Sequence, residues 1–119
     1  MLASSAQKPD DAVAQAVTQL RLKFVDSLDE RILQFEAVLA DLRRGGDQHK
    51  ALRNISALAH KIAGIAPTFG FSAIGTQARQ IEQMIDRQIR MVSAQETMDQ
   101  VFPALQGFLD DLESLMDEV

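Results

Sequence analysis

The chain has 119 residues, with twelve basic and seventeen acidic side chains and a formal net charge of −5. This length suits a single domain, and the acidic balance argues against nucleic acid as a partner. Cysteine is absent, which excludes a disulfide framework and a thiolate zinc site. No apolar stretch approaches the roughly eighteen residues of a membrane span, and no signal-peptide pattern is seen, so we expect a cytoplasmic protein with no membrane partner.

The first residues of the chain are mostly small or polar, and the first helical pattern follows them. Residues 1–9 predict a flexible arm before a domain that spans residues 10–119. A short helix is expected from about Asp10. A long helix is then predicted from about Leu20 to Leu42, because apolar residues recur at steps of three and four until the pair Gly45-Gly46.

Three more amphipathic patterns predict helices from about Asp47 to Ala66, from Phe71 to Arg90 and from Ala94 to Glu118. Pro67 should end or kink the first of these, because proline cannot donate to the carbonyl four residues back. Pro103 lies inside the last pattern and predicts a kink or a later start. Together the patterns predict an all-α fold, an antiparallel four-helix bundle with a short additional N-terminal helix.

The apolar stripes also predict the core. Met and Phe residues at helical spacing are interpreted as core side chains and not as a cofactor site. In the last helix the stripe includes Phe102. The residues expected to be buried are Phe24, Phe35, Leu39, Ile55, Ala59, Ile62, Ile74, Ile81, Leu105 and Leu112.

The two histidines are the first candidates for chemistry, because histidine is the side chain that exchanges protons near neutral pH. His49 is interpreted as a solvated residue at a helix start. At about 100° per residue, His60 points roughly 140° away from the apolar stripe of its helix. We therefore expect His60 to be a solvated histidine in the middle of a helix.

The neighbours of His60 suggest a docking surface. Ala57 and Gly64, at i−3 and i+4, share its face and leave that face without large side chains. Arg53 lies about two turns earlier on nearly the same face. Glycine costs about 1 kcal/mol relative to alanine inside a helix, and close approach of another backbone would explain Gly64. Tight packing against a neighbouring helix is the alternative.

The segment from Ala59 to Phe71 resembles the signature of histidine-containing phosphotransfer domains, in which glycines follow the histidine four and ten residues later. His60, Gly64 and Gly70 match these positions, and the four-helix pattern from about Leu20 onward matches as well. The resemblance implies that His60 carries a phosphoryl group.

The same resemblance implies the partners, which are receiver domains of response regulators or of hybrid histidine kinases. Such a chain is a phosphocarrier and not an autonomous enzyme. It has no cofactor of its own, because the receiver supplies Mg²⁺. A monomer is expected.

The chain departs from the family pattern at one position. The family usually has lysine three residues after the histidine, where this chain has Ala63. Lys61 and Arg53 are the candidates to supply the missing charge to the phosphoryl group. The alternative is that both are ordinary solvated charges.

A partner for the His60 ring is expected on the next helix. An antiparallel hairpin that turns near Thr68 to Phe71 brings Arg79 and Glu82 level with His60. The chemotaxis-kinase branch of the family carries a glutamate at this spacing, so the resemblance assigns Glu82 as acceptor for the inner ring nitrogen, with Arg79 beside it. The alternative is a surface ion pair between Arg79 and Glu82.

Two other functions are alternatives to phosphotransfer. A helical adaptor would dock on a receiver or a histidine kinase without being phosphorylated, but the presence of His60 speaks against it. A metal-binding bundle would need inward-facing Glu and His ligands on several helices, and the apolar stripes contain none.

Overall fold

The computed structural model of the chain describes residues 9–118, which form four α-helices and no strand. The helices are α1 (Pro9–Arg43), α2 (Gln48–Ile65), α3 (Ser72–Gln88) and α4 (Ala94–Asp117), and a 3₁₀ segment, Ala66–Phe69, follows α2. Each α-helix contacts the ones before and after it, and α1 contacts α4. Short connections make successive helices antiparallel, so these residues form a four-helix bundle. None of these helices has the length and hydropathy to cross a membrane.

Helix α1 is continuous over 35 residues, so the separate short helix expected from about Asp10 is not found. The physical reason is that neither glycine nor proline interrupts the chain between Pro9 and Gly45. Residues 11–23 are exposed throughout, which indicates that this part of α1 extends beyond the core. The predicted arm, apart from Pro9, lies outside the described residues.

The ends of the other helices have identifiable causes. The side chain of Asp47 caps α2 by accepting hydrogen bonds from the backbone of His49 and Lys50. Helix α2 then ends two residues before Pro67. Ser93 caps α4, which runs through Pro103 without a late start. The later start was wrong because the cap fixes the helix origin upstream of the proline.

One hydrophobic core lies between the four helices. All ten side chains expected in it are buried, with at most 7% of their surface exposed. The rings of Phe35 and Phe108 meet edge to face, with centroids 6.0 Å apart. Phe102, also expected in the stripe, is 42% exposed because the neighbouring Val101 takes the inward position. One residue corresponds to about 100° of rotation, which moves Phe102 off the core face.

Helices α2 and α3 form the most extensive helix pair, and small buried residues line their interface. The turn between them contains Gly70, whose φ of 86° is the left-handed conformation that glycine adopts without strain. The ring of Phe24 on α1 packs against Phe69 and Phe71, with centroids 6.2 and 5.3 Å away. These contacts fix the α2–α3 hairpin on the rest of the bundle.

Candidate functional site

The solvent-facing side of α2 carries the predicted docking residues. Arg53, Ala57, His60 and Gly64 are all exposed, because the core residues of α2 occupy the opposite side of the helix. A Cβ atom added to Gly64 would meet no atom within 4 Å. Within the described residues, no neighbouring helix packs closely against Gly64. Tight helix packing, the alternative explanation for this glycine, therefore does not hold.

His60 contacts α3 through one ring nitrogen. Its Nδ1 atom lies 2.5 Å from Oε2 of Glu82, a hydrogen-bond distance. The side chain of His60 is 73% exposed and that of Glu82 is 21% exposed. An ionised carboxylate only accepts hydrogen bonds, so Nδ1 carries the hydrogen. In the neutral ring with hydrogen on Nδ1, the other nitrogen, Nε2, has a lone pair, and it has no hydrogen-bond partner within residues 9–118.

A groove of about 940 Å³ runs between α2 and α3 beside His60. Ile89, the residue after α3, supplies apolar surface, the buried Ile85 of α3 also lines the groove, and charged side chains surround them. The residues that line the groove are His49, Arg53, Ser56, Ala57, His60, Lys61, Glu82, Ile85, Asp86, Ile89 and Arg90. The groove therefore offers an approaching protein both apolar contact and charge.

Two cations expected near the phosphoryl group, Lys61 and Arg53, both line the groove and are exposed. Ala63, at the position where the resemblance expects lysine, is only 5% exposed. A lysine at that position would begin inside the α2–α3 interface. The burial of Ala63 suits its small apolar side chain, and the exposed cations Lys61 and Arg53 of α2 lie beside the groove instead.

Arg79 does not join this cluster. It lines a separate shallow cavity with Pro67 and Gly75, and within residues 9–118 it makes no ion pair with Glu82. The side of α3 that borders the groove carries Glu82 and, three and four residues later, Ile85 and Asp86; Ile89 follows directly after the helix. Arg79 is about 60° round the helix from Glu82, enough to turn its side chain to the other flank.

Sequence reasoning missed four polar or charged residues of the groove. His49, interpreted only as a solvated residue, lies in the first turn of α2, three turns before His60 on the same face. Ser56 on α2 donates a 3.2 Å hydrogen bond to Oδ1 of Asp86 on α3. Arg90 lines the groove beyond α3. The sequence did contain a signal for the contact between Ser56 and Asp86. Ser56 lies four residues before His60, and Asp86 lies four residues after Glu82, so the two pairs are level on antiparallel helices.

The side chains around the groove do not form an evident set of metal ligands. Among the described residues, no group of three or more His, Asp or Glu side chains is placed to hold a metal ion. His60 and Glu82 contact each other instead, and Asp86 accepts from Ser56. The arrangement of the site therefore presents one oriented imidazole on an open protein surface.

Comparison with known protein families identifies a family that this chain matches. A family model described as Hpt domain matches residues 19–118, which is most of the chain and covers α1 from residue 19 onward and all of α2, α3 and α4. No curated protein and no solved structure gives a match. Hpt domains are the histidine phosphotransfer domains of two-component signalling, and they interact with receiver domains or kinases. On the extent of this match, the chain belongs to the Hpt domain family.

Proposed function

We propose that this chain is a phosphocarrier that accepts a phosphoryl group on Nε2 of His60 and passes it between receiver-domain aspartates. The observation that carries the proposal is the contact between Nδ1 of His60 and Oε2 of Glu82. A nucleophilic imidazole needs one nitrogen held by an acceptor and the other available to the substrate. The 73% exposure of His60 supports access to Nε2.

The chemistry follows from this tautomer. The lone pair of Nε2 attacks phosphorus in an aspartyl phosphate, an N–P bond forms, and the P–O bond to the aspartate breaks. The aspartate leaves as a carboxylate, and the imidazole ring, which keeps its hydrogen on Nδ1, gains a positive charge. The carboxylate of Glu82 lies beside that charge and stabilises it. Return of the phosphoryl group to a second aspartate reverses each step.

The other groups needed for transfer come from the partner receiver domain. Phosphoryl transfer needs in-line approach and neutralisation of the phosphoryl oxygens. We propose that the receiver brings Mg²⁺ and the aspartate, and that this chain contributes Lys61 and Arg53 from the rim of the groove. The small side chains at Ala57 and Gly64 support close docking beside His60. We propose that the working unit is a cytoplasmic monomer, since one exposed histidine face is enough for exchange.

The test is phosphorylation of the purified chain by a phosphorylated receiver domain. Phosphate that is labile in acid and stable in alkali should appear on the chain, and His60→Gln should abolish it. His49→Gln is the matched control, because His49 is an exposed histidine on the same face of α2 and in the same groove. Labelling that survives His60→Gln and disappears in His49→Gln would contradict the proposal.

A further inference from the structure

Helix α3 lies close to the α2–α3 turn at Gly75. This residue is buried on α3, and a Cβ atom added to it would lie 2.8 Å from Cγ and 2.9 Å from Cδ of Pro67. Carbon atoms that are not bonded prefer separations of about 3.5–4.0 Å. Glycine therefore allows α3 to lie closer to the turn than any other residue would.

Pro67 has little freedom to move away from such a Cβ atom. Its ring is closed on the backbone, and the surrounding turn is hydrogen-bonded. The amide of Gly70 donates to the carbonyl of Pro67 at 3.1 Å, and the amide of Phe71 donates to that of Ala66 at 2.9 Å. The rings of Phe69 and Phe71 also pack on Phe24 of α1. A side chain at position 75 would therefore displace α3 and leave the turn in place.

Gly75 and Glu82 lie on the same side of α3. They are seven residues apart, which is about two turns and about 10.5 Å along the helix axis. Helix α3 is uninterrupted from Ser72 to Gln88, so it transmits a displacement from one position to the other. Ala78, between them on this side, is fully buried. The distance between α3 and α2 at Gly75 thus affects the position of the Glu82 carboxylate.

We propose that Gly75 is a positioning residue, whose contact with Pro67 sets the helix spacing that brings Oε2 of Glu82 to Nδ1 of His60. The inference about geometry stands on these contacts, and its consequence for transfer rests on the proposed function. Gly64 and Gly107 have no such role, because a Cβ atom at either position meets nothing within 4 Å.

The test compares Gly75→Ala with Gly107→Ala, which places the same extra methyl group in open space on α4. ¹⁵N NMR of the imidazole reports the tautomer of His60 without any phosphotransfer. Gly75→Ala should give a mixture of tautomers and slow the phosphorylation of His60 by at least about tenfold, the lower end of the loss seen when metal-ligating histidines lose a supporting partner. Gly107→Ala should keep the hydrogen on Nδ1 and the original rate.

Removal of the obstructing ring separates a positional effect from general instability. The double variant Gly75→Ala with Pro67→Ala lacks Cγ and Cδ of the ring, so it should regain the Nδ1 hydrogen and most of the transfer rate. This variant also carries the test if Gly75→Ala alone fails to fold. A folded double variant without the Nδ1 hydrogen, or a Gly75→Ala protein with an unchanged tautomer, would overturn the inference. Lack of phosphate on wild-type His60 would contradict the proposed function and leave the NMR result intact.

Discussion

The hydroxyl group of Ser56 donates a hydrogen bond to Oδ1 of Asp86, one helical turn from the contact between His60 and Glu82 on each helix. The two contacts span the same groove and share one register of the α2–α3 hairpin. The difference between them is their chemistry, since only the second includes a nucleophile. Ser56 and Asp86 are therefore expected to hold the helices together without taking part in transfer.

We predict that Ser56→Ala lowers the free energy of unfolding by about 0.5 kcal/mol, the lower end for one hydrogen bond, because the contact is solvent-exposed. Urea unfolding of Ser56→Ala, Asp86→Ala and the double variant measures the coupling between the two side chains. The transfer rate of Ser56→Ala should stay within about twofold of wild type on this size of effect. A tenfold loss in the folded variant would place Ser56 in the transfer site itself.

Gly64 should respond in opposite directions in stability and in function. Gly64→Ala should stabilise the chain by up to about 1 kcal/mol, because alanine is the better helix former and the added Cβ atom meets nothing. Gly64→Gln should unfold at a similar or higher urea concentration than wild type but transfer phosphate more slowly, since it fills the surface beside His60. The control is Gly107→Gln on α4, outside the groove lining. Equal transfer rates for both glutamine variants would remove Gly64 from the docking surface.

The third prediction concerns the positive charges of Lys61 and Arg53 beside the groove. Lys61→Gln and Arg53→Gln should each slow phosphorylation by up to about fivefold, the size expected for one exposed charge interaction. The loss should shrink as salt is raised, because salt screens exposed charges. Lys50→Gln is the control, since Lys50 is exposed on α2 and lines a different cavity. An identical small loss in all three variants would indicate only a general effect of net charge.

The core prediction compares two leucines of α1. Leu28 is fully buried and Leu33 is 56% exposed. Leu28→Ala should cost about 2–5 kcal/mol of unfolding free energy, because it removes buried methyl groups and leaves a cavity. Leu33→Ala should change it by no more than about 0.5 kcal/mol. Similar urea midpoints for the two variants would contradict the described packing of α1.

The sequence was sufficient to predict which side of each helix is buried. It only partly predicted which side chains of neighbouring helices meet. Apolar periodicity correctly identified the buried side of every helix and the exposure of His60. It could not separate Glu82 from Arg79, because about 60° of rotation on one helix decides which side chain meets α2. The burial of Ala63 depends in the same way on how closely α3 approaches.

The N-terminal helix shows a different limit. Sequence patterns indicate where a helix has a core to pack on, and the long amphipathic helix is predicted only from about Leu20. Residues 11–23 are helical although they are exposed, so their helicity leaves no trace in the core pattern. The predicted burial of Phe102 was wrong for a related reason. Val101 fits the same apolar spacing and takes the buried position.

The last prediction concerns the Glu82 carboxylate. Glu82→Ala removes the acceptor for Nδ1, so the hydrogen of neutral His60 should distribute over both ring nitrogens, as ¹⁵N NMR would show. The molecules with hydrogen on Nε2 lack the lone pair needed for attack, and the charged phosphoimidazole loses its neighbouring carboxylate. We expect phosphorylation of His60 to slow by about 10- to 100-fold, the loss typical of metal-ligating histidines whose supporting carboxylate is removed.

Two further variants separate these contributions. Glu82→Gln keeps an oxygen that can accept from Nδ1 but lacks the negative charge, so it should preserve the tautomer and lose only part of the rate. Arg79→Ala should leave both unchanged, because Arg79 lines another cavity. If Glu82→Ala instead retained the Nδ1 hydrogen and the wild-type rate, Glu82 would be an ordinary surface carboxylate. A loss of rate with an unchanged tautomer in Glu82→Ala would assign to Glu82 only the electrostatic part of the role.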